Sequence, residues 1–165
     1  MNVEVYLAFY DGSKGLGWWR TFLVWIIQLG NTKISHVGLI FKFPWNISFC
    51  PFIIDGRPAI LVREEKLKLL GSTLIEKHYI GNVNITVDDL FKLTTDARVG
   101  YWYKIVFWLW FGRFFGLDKK TAFCCTFFCA DYLNKTFNYS FKNTIVPLNF
   151  YKEVKNDYSS YWRKS

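Results

Sequence analysis

Cysteine and histidine are the scarce reactive residues of this chain, which has four cysteines (Cys50, Cys124, Cys125, Cys129) and two histidines (His36, His78) in 165 residues. A thiol attacks carbon as its thiolate or with a base to take its proton, so a Cys–His pair is the smallest set that supports acyl chemistry. Zinc is the competing use of these residue types. Structural zinc sites combine two ligand pairs, and Cys-Cys-x-x-x-Cys at 124–129 has no partner pair elsewhere, so neither a metal nor another cofactor is expected.

Cys125 is the favoured nucleophile. Thr126 to Phe137 reads as a helix with its first turn at or just before Cys125. Unpaired N–H groups and the positive end of the helix dipole there favour a thiolate and, later, an oxyanion. Cys129, one turn on, is expected to face the core. His36 opens a short apolar strand beside a turn, whereas His78 sits among the charged Glu76 and Lys77, which makes His36 the preferred base. The plain alternatives are a structural histidine at a strand start and a cysteine serving as a small core residue.

Two segments carry a resemblance. Ser35-His36-Val37-Gly38-Leu39-Ile40 resembles the S-H-x-G/E-h-h strand (h apolar), and Cys125-Thr126-Phe127-Phe128-Cys129-Ala130-Asp131-Tyr132-Leu133-Asn134 resembles the C-[S/E]-x-F-[V/A]-x-x-x-L helix, of the circularly permuted NlpC-type papain-like hydrolases. That group is similar in core to lecithin-retinol acyltransferase. Its histidine strand precedes its cysteine helix, the order found here. The opening strand, the turn at Asp11-Gly12 and a helix before the histidine are similar to phage and bacterial members, so the resemblance spans most of residues 3 to 134.

Setting Phe128 and Cys129 on the family's aromatic and small apolar positions places Cys125 on the nucleophile and Cys124 just before it. The resemblance implies an α+β papain-like domain in which Cys125 attacks an amide or ester carbon and His36 moves the proton. The thioester is resolved by water in a hydrolase, or by an amine or alcohol in an acyltransferase. The implied substrates are peptide-like or acyl groups.

The chain departs from the pattern at Phe127, where many relatives carry an acidic or polar residue. It also has no second His or obvious acid about a dozen residues after His36. Ser48 and Cys50 share one face of the second strand by its period of two, and Ser48 leads as the orienter because its oxygen accepts an imidazole N–H better. A missing orienter leaves a dyad, or a protein without chemistry that binds a membrane or a host protein.

The elements that position these residues follow from pattern. Val3–Tyr10 reads as a first strand and Gly17–Leu29 as an amphipathic helix. Ser35–Phe41, Ile47–Ile54, Ala59–Arg63 and Thr73–Ile80 are further strands, giving an antiparallel sheet of four to six. Thr86-Val87-Asp88-Asp89 has the spacing of a helix N-cap, Tyr101–Phe115 is apolar on nearly every side, and the tail from Asn138 shows no clear order.

Length and a hydrophobic share of 52% suit one domain over residues 1–165 with a sizeable core. The net charge of +8 favours anionic partners, but the basic residues form no block of the kind that binds nucleic acid, so no specific nucleic-acid partner is expected. The start carries no secretory pattern and the longest apolar run, 105–112, is far short of the roughly 20 residues of a membrane span. A cytoplasmic location follows as the expectation, in a host cytoplasm for a phage-encoded member, with reduced thiols and a possible anionic membrane surface as a partner through the aromatic segment.

Overall fold

The computed structural model describes residues 1–11, 34, 36–52, 60–70, 73–96, 125–141 and 147–157. The expected helix over 17–29, the aromatic segment 101–115, Ser35 and Cys124 lie outside the described residues.

The strands are β1 (Asn2–Asp11), β2 (His36–Lys42), β3 (Ser48–Phe52), β4 (Ile60–Arg63) and β5 (Thr73–Asn84). A 3-10 helix (Glu64–Leu70) joins β4 to β5, and the described α-helices are α1 (Val87–Asp96), α2 (Cys125–Phe137) and α3 (Pro147–Asp157). The strands form one sheet in the order β4-β3-β2-β1-β5, with every pairing antiparallel. The fold is therefore α+β.

Both faces of the sheet are covered at its centre. Val3, Val5, Leu7 and Phe9 of β1 lie beside Val37, Leu39 and Phe41 of β2. Onto them pack Phe128, Cys129, Ala130 and Leu133 of α2, Phe150 and Val154 of α3, and Leu90 of α1. The opposite face gathers Ala8, Tyr10, Ile40, Cys50 and Val62 under Leu67 of the 3-10 helix. This is why Leu7–Tyr10 and Val37–Phe41 are apolar at consecutive positions where a half-solvated strand would alternate. Each large apolar side chain buried this way contributes about 1.5–3 kcal/mol.

Pairing explains where the elements depart from the pattern. β5 runs past the expected Ile80 to Asn84 because β1 supplies partners down to Asn2. Between Val5↔Gly81 and Tyr6↔Tyr79 the residue Ile80 is extra, and between Phe9↔Glu76 and Tyr10↔Leu74 so is Ile75. These two bulges bend a strand that ends the described sheet, a device that blunts an edge against further pairing. They also set its faces, turning Glu76 and His78 toward the helices and Lys77 and Tyr79 away.

The start of α1 is a capping box. Thr86 Oγ1 accepts the Asp89 N–H at 3.2 Å, and the Thr86 N–H donates to Asp89 Oδ2 at 2.8 Å. In the tail, where sequence pattern gave no order, α3 forms. Pro147 occupies its first position, where a missing N–H costs nothing, and Phe150 and Val154, four residues apart, bury on one side.

Candidate functional site

α2 lies across β2, and its first residue is Cys125. The Cys125 sulfur is reached by three backbone N–H groups, those of Val37, Thr126 and Cys125 itself. Burial is the largest influence on the thiol and pushes its pKa up, while these three donors pull it back. Two of them belong to the open first turn of the helix, where N–H groups lack intrahelical partners. The third comes from the residue that follows His36.

His36 itself is the first residue of β2 and pairs with Tyr10. Alternation sets its side chain on the face of Gly38 and Ile40, and its ring lies 6.0 Å from that of Tyr10. Its Nε2 is shielded from solvent although the residue keeps some exposed surface, and burial lowers its pKa to about 4. The imidazole is therefore neutral at pH 7. The two candidates thus meet at the start of β2 with the backbones close. In this conformation α2 rests on one face of the sheet and the imidazole lies toward the other.

Ser48 is not brought to this place. It pairs with Lys42, at the far end of β2 from His36, roughly 20 Å along the strand. At that separation it cannot accept the imidazole N–H, so the expectation that it orients His36 is corrected. Cys50 is nearer and shares His36's face; a Cβ added to Gly38 would stand 3.2 Å from its sulfur. Burial, with the charge of Glu64 adding to it, pushes the Cys50 thiol up to about 12, and the residue packs as core. Cys129 is buried within α2's contact with the sheet, as its helical spacing from Cys125 implies.

His78, expected among charged neighbours, lies on the face of β5 that meets the helices. Its Nε2 lies 3.1 Å from Glu76 Oε1, and its ring meets Phe9 edge to face. Glu76 further accepts the Tyr151 hydroxyl at 2.5 Å and contacts Lys155 at 3.2 Å. Burial alone would raise the Glu76 pKa, but hydrogen bonds from Tyr151 and Lys155, and the charges of His78 and Lys155, outweigh it and hold it below the usual range. Burial lowers the His78 pKa, against the pull of Glu76. This network ties α3 to β5. The period-two placement of Glu76 and His78 signals that they share a face, while their partners on α3 lie in the tail that showed no pattern.

Two members of the thiol site were invisible to side-chain patterns. The Val37 donor is a main-chain group, and Tyr10 reaches His36 only through the β1–β2 register. Among the described residues, no three His, Cys, Asp or Glu side chains gather as a metal site, and no helix is long and apolar enough to cross a membrane. Comparison with family models, curated proteins and solved structures finds no match to this chain.

Proposed function

We propose that this chain is a cysteine-dependent hydrolase or acyltransferase of permuted papain-like architecture, with Cys125 as nucleophile and His36 as base. The observation that carries the reading is the Cys125 sulfur at the start of α2, ringed by three N–H donors, one of them on the residue next to His36. A five-stranded antiparallel sheet with the cysteine helix laid across its histidine strand is compatible with that architecture.

The thiol is raised and the imidazole lowered, so the resting pair is neutral, and the proton moves during attack. Sulfur bonds to the acyl carbon while His36 takes the thiol proton. The carbonyl oxygen gains negative charge, which N–H groups at the helix start stabilise. Collapse expels the amine or alcohol with the proton from the imidazolium and leaves a thioester. Water then gives the acid and the free thiol, or a second amine or alcohol gives transfer. His36 takes part after the backbone at the first residue of β2 turns its side chain from Tyr10 toward the sulfur, since a rotamer change alone leaves the Cα–Cβ direction on the Tyr10 face.

Peptide-like or acyl substrates, a cytoplasmic location and contact with an anionic membrane surface accompany this proposal. A second reading, a binding module of the same architecture without chemistry, is favoured by the His36 ring lying toward Tyr10. Incubation with a panel of acyl-directed cysteine electrophiles, epoxides and vinyl sulfones, separates the two. Adduct formation at Cys125 that depends on His36 supports the enzyme. Failure of every member to modify Cys125 faster than a free thiol assigns the binding module.

A further inference from the structure

Cys125, Cys129, Leu133 and Phe137 follow one another at every fourth position of α2, a spacing that returns to nearly the same side of a helix. Cys129 and Leu133 are fully buried against the sheet. The two ends of this stripe rest on different strands. Cys125 meets the Val37 N–H on β2, and Phe137, the last residue of the helix, meets Gly81 on β5. β1 lies between those strands, so α2 spans them over roughly 18 Å of helix.

A Cβ built on Gly81 would stand 2.9 Å from Phe137 Cε1 and 3.5 Å from its Cδ1. Carbon atoms do not pack as closely as the first of these, so a larger residue enters only if the ring or the helix gives way. The bulge in β5 aims this position at the helix. Tyr79 faces away from the helices, and regular alternation would turn Gly81 away as well. The extra Ile80 returns Gly81 to the side of its partner Val5, which is buried in the helix-facing core.

Phe137 is held from its own side too. Asn138 ends the helix in the left-handed region at φ 56°, and the Phe141 N–H donates to Asn134 Oδ1 at 3.2 Å, which ties the outgoing chain back to the last turn. The Phe137 ring lies 6.5 Å from that of Tyr139, which lies 5.3 Å from the buried Phe141. Added volume at Gly81 therefore displaces the end of α2 as well as the ring, and a stiff helix carries that shift to its other end. The contact is separate from the tie of α3, because Gly81 pairs with Val5 and Glu76 with Phe9, roughly 13 Å away along β1. We infer that Gly81 is a positioning residue for Cys125: bare backbone there lets the Phe137 end of α2 settle on β5, which sets the depth at which the Val37 N–H reaches the sulfur. Its importance for catalysis rests on the reading of Cys125 as nucleophile.

The test is the rate of Cys125 alkylation by iodoacetamide from pH 6 to 9 in the whole protein. Gly81→Ala is expected to slow it at least about fivefold at pH 7 and to move the midpoint of the rate profile to higher pH, because a donor to the thiolate is lost. Gly81→Ala/Phe137→Leu, which offsets the added methyl with a smaller side chain, is expected to return to within about twofold of the parent. Val83→Ala, on the same face of β5, reports plain loosening of the core and is expected to stay within about twofold. Phe137→Ala removes the contact without adding volume and is expected to slow alkylation about threefold or more, so it decides the matter if Gly81→Ala loses the parent circular dichroism. An unchanged or faster rate in Gly81→Ala and Phe137→Ala overturns the inference. So does a double variant that stays slow, or a Val83→Ala as slow as Gly81→Ala. These ratios are read whatever the absolute rate, whereas a parent Cys125 no faster than a free thiol overturns the nucleophile reading alone.

Discussion

Cys125 and Cys50 lie against the same strand, β2, from opposite sides, and burial raises the pKa of both thiols. What separates them is the backbone. Cys125 stands at a helix start with three N–H donors around its sulfur, whereas Cys50 sits mid-strand, where main-chain donors are committed to the ladder and its sulfur lies 3.8 Å from the Pro51 carbonyl oxygen. A carbonyl does nothing for a thiolate. The charge of Glu64 opposes ionisation of Cys50 further. Burial makes a cysteine inert unless local main chain supplies positive potential, and only the Cys125 side does so.

The largest effect expected from this contrast is selectivity in alkylation. Iodoacetamide at near-neutral pH, followed by peptide mapping, is expected to modify Cys125 at least about 100-fold faster than Cys50, given a Cys50 thiol pushed up to about 12. Cys125→Ser removes that adduct and leaves the fold intact, since the side chains are close in size. Earlier modification of Cys50, Cys129 or Cys124 breaks the comparison.

Acid stability comes next. The His36 pKa is about 4 in the fold against about 6.5 in an unfolded chain, so between these values the unfolded state holds more protons. Its contribution is complete above about pH 6.5 and declines by about 3 kcal/mol as pH falls to about 4. Urea midpoints at pH 7 and pH 4.5 are expected to fall steeply for the parent and less steeply for His36→Gln. The slope left in that variant belongs to His78, whose pKa burial also lowers, and near pH 4.5 to carboxylates such as Glu76 whose folded pKa lies below the unfolded one. An unchanged slope in His36→Gln shows that the imidazole is solvated and charged in the fold.

A smaller effect tests whether the two sides of β2 communicate. His36→Ala is expected to slow Cys125 alkylation at pH 6 to 7 by roughly tenfold, because a neutral imidazole that can turn to the sulfur accepts its proton. His78→Ala, on the face of α3, is the control and changes the rate little. Equal rates for parent and His36→Ala leave the base function without a residue and favour the binding module.

Much of this was legible in sequence because the signals are local. The placement of α2 at Cys125, the capping box at Thr86 and Asp89, and the core runs of β1 and β2 each follow from spacing within a few residues. The orienter was not legible. Ser48 and Cys50 do share a face, but the β2–β3 register sends Ser48 to the far end of β2, and register depends on a turn whose geometry the pattern left open. The bulges at Ile75 and Ile80 are likewise pairing properties. α3 was missed because charged and polar residues interrupt its apolar positions, and its hold on the sheet runs through Glu76, far away in sequence.

That hold gives the smallest expected effect. Tyr151 donates to Glu76 and packs edge to face on Phe9 at 4.9 Å, so Tyr151→Phe keeps the ring contact and removes only the hydroxyl. The loss of one hydrogen bond to a half-buried carboxylate is expected to cost about 1 kcal/mol at pH 7, read as a lower urea midpoint with an unchanged slope. The sign with pH is fixed by Glu76, whose folded pKa lies below its unfolded one. Its contribution is present above the ordinary carboxylate range and is lost as pH falls through the folded value. The cost of Tyr151→Phe is therefore expected to shrink once pH falls through the folded Glu76 value, because a protonated Glu76 accepts more weakly. Cys125 alkylation should not change, since α3 reaches the sheet at β5 and the thiol lies at β2. A slower alkylation in Tyr151→Phe shows instead that the tie at the sheet's edge helps to set the position of α2, and the contrast between Cys125 and Cys50 then depends on packing across the whole helix layer as well as on three local N–H groups.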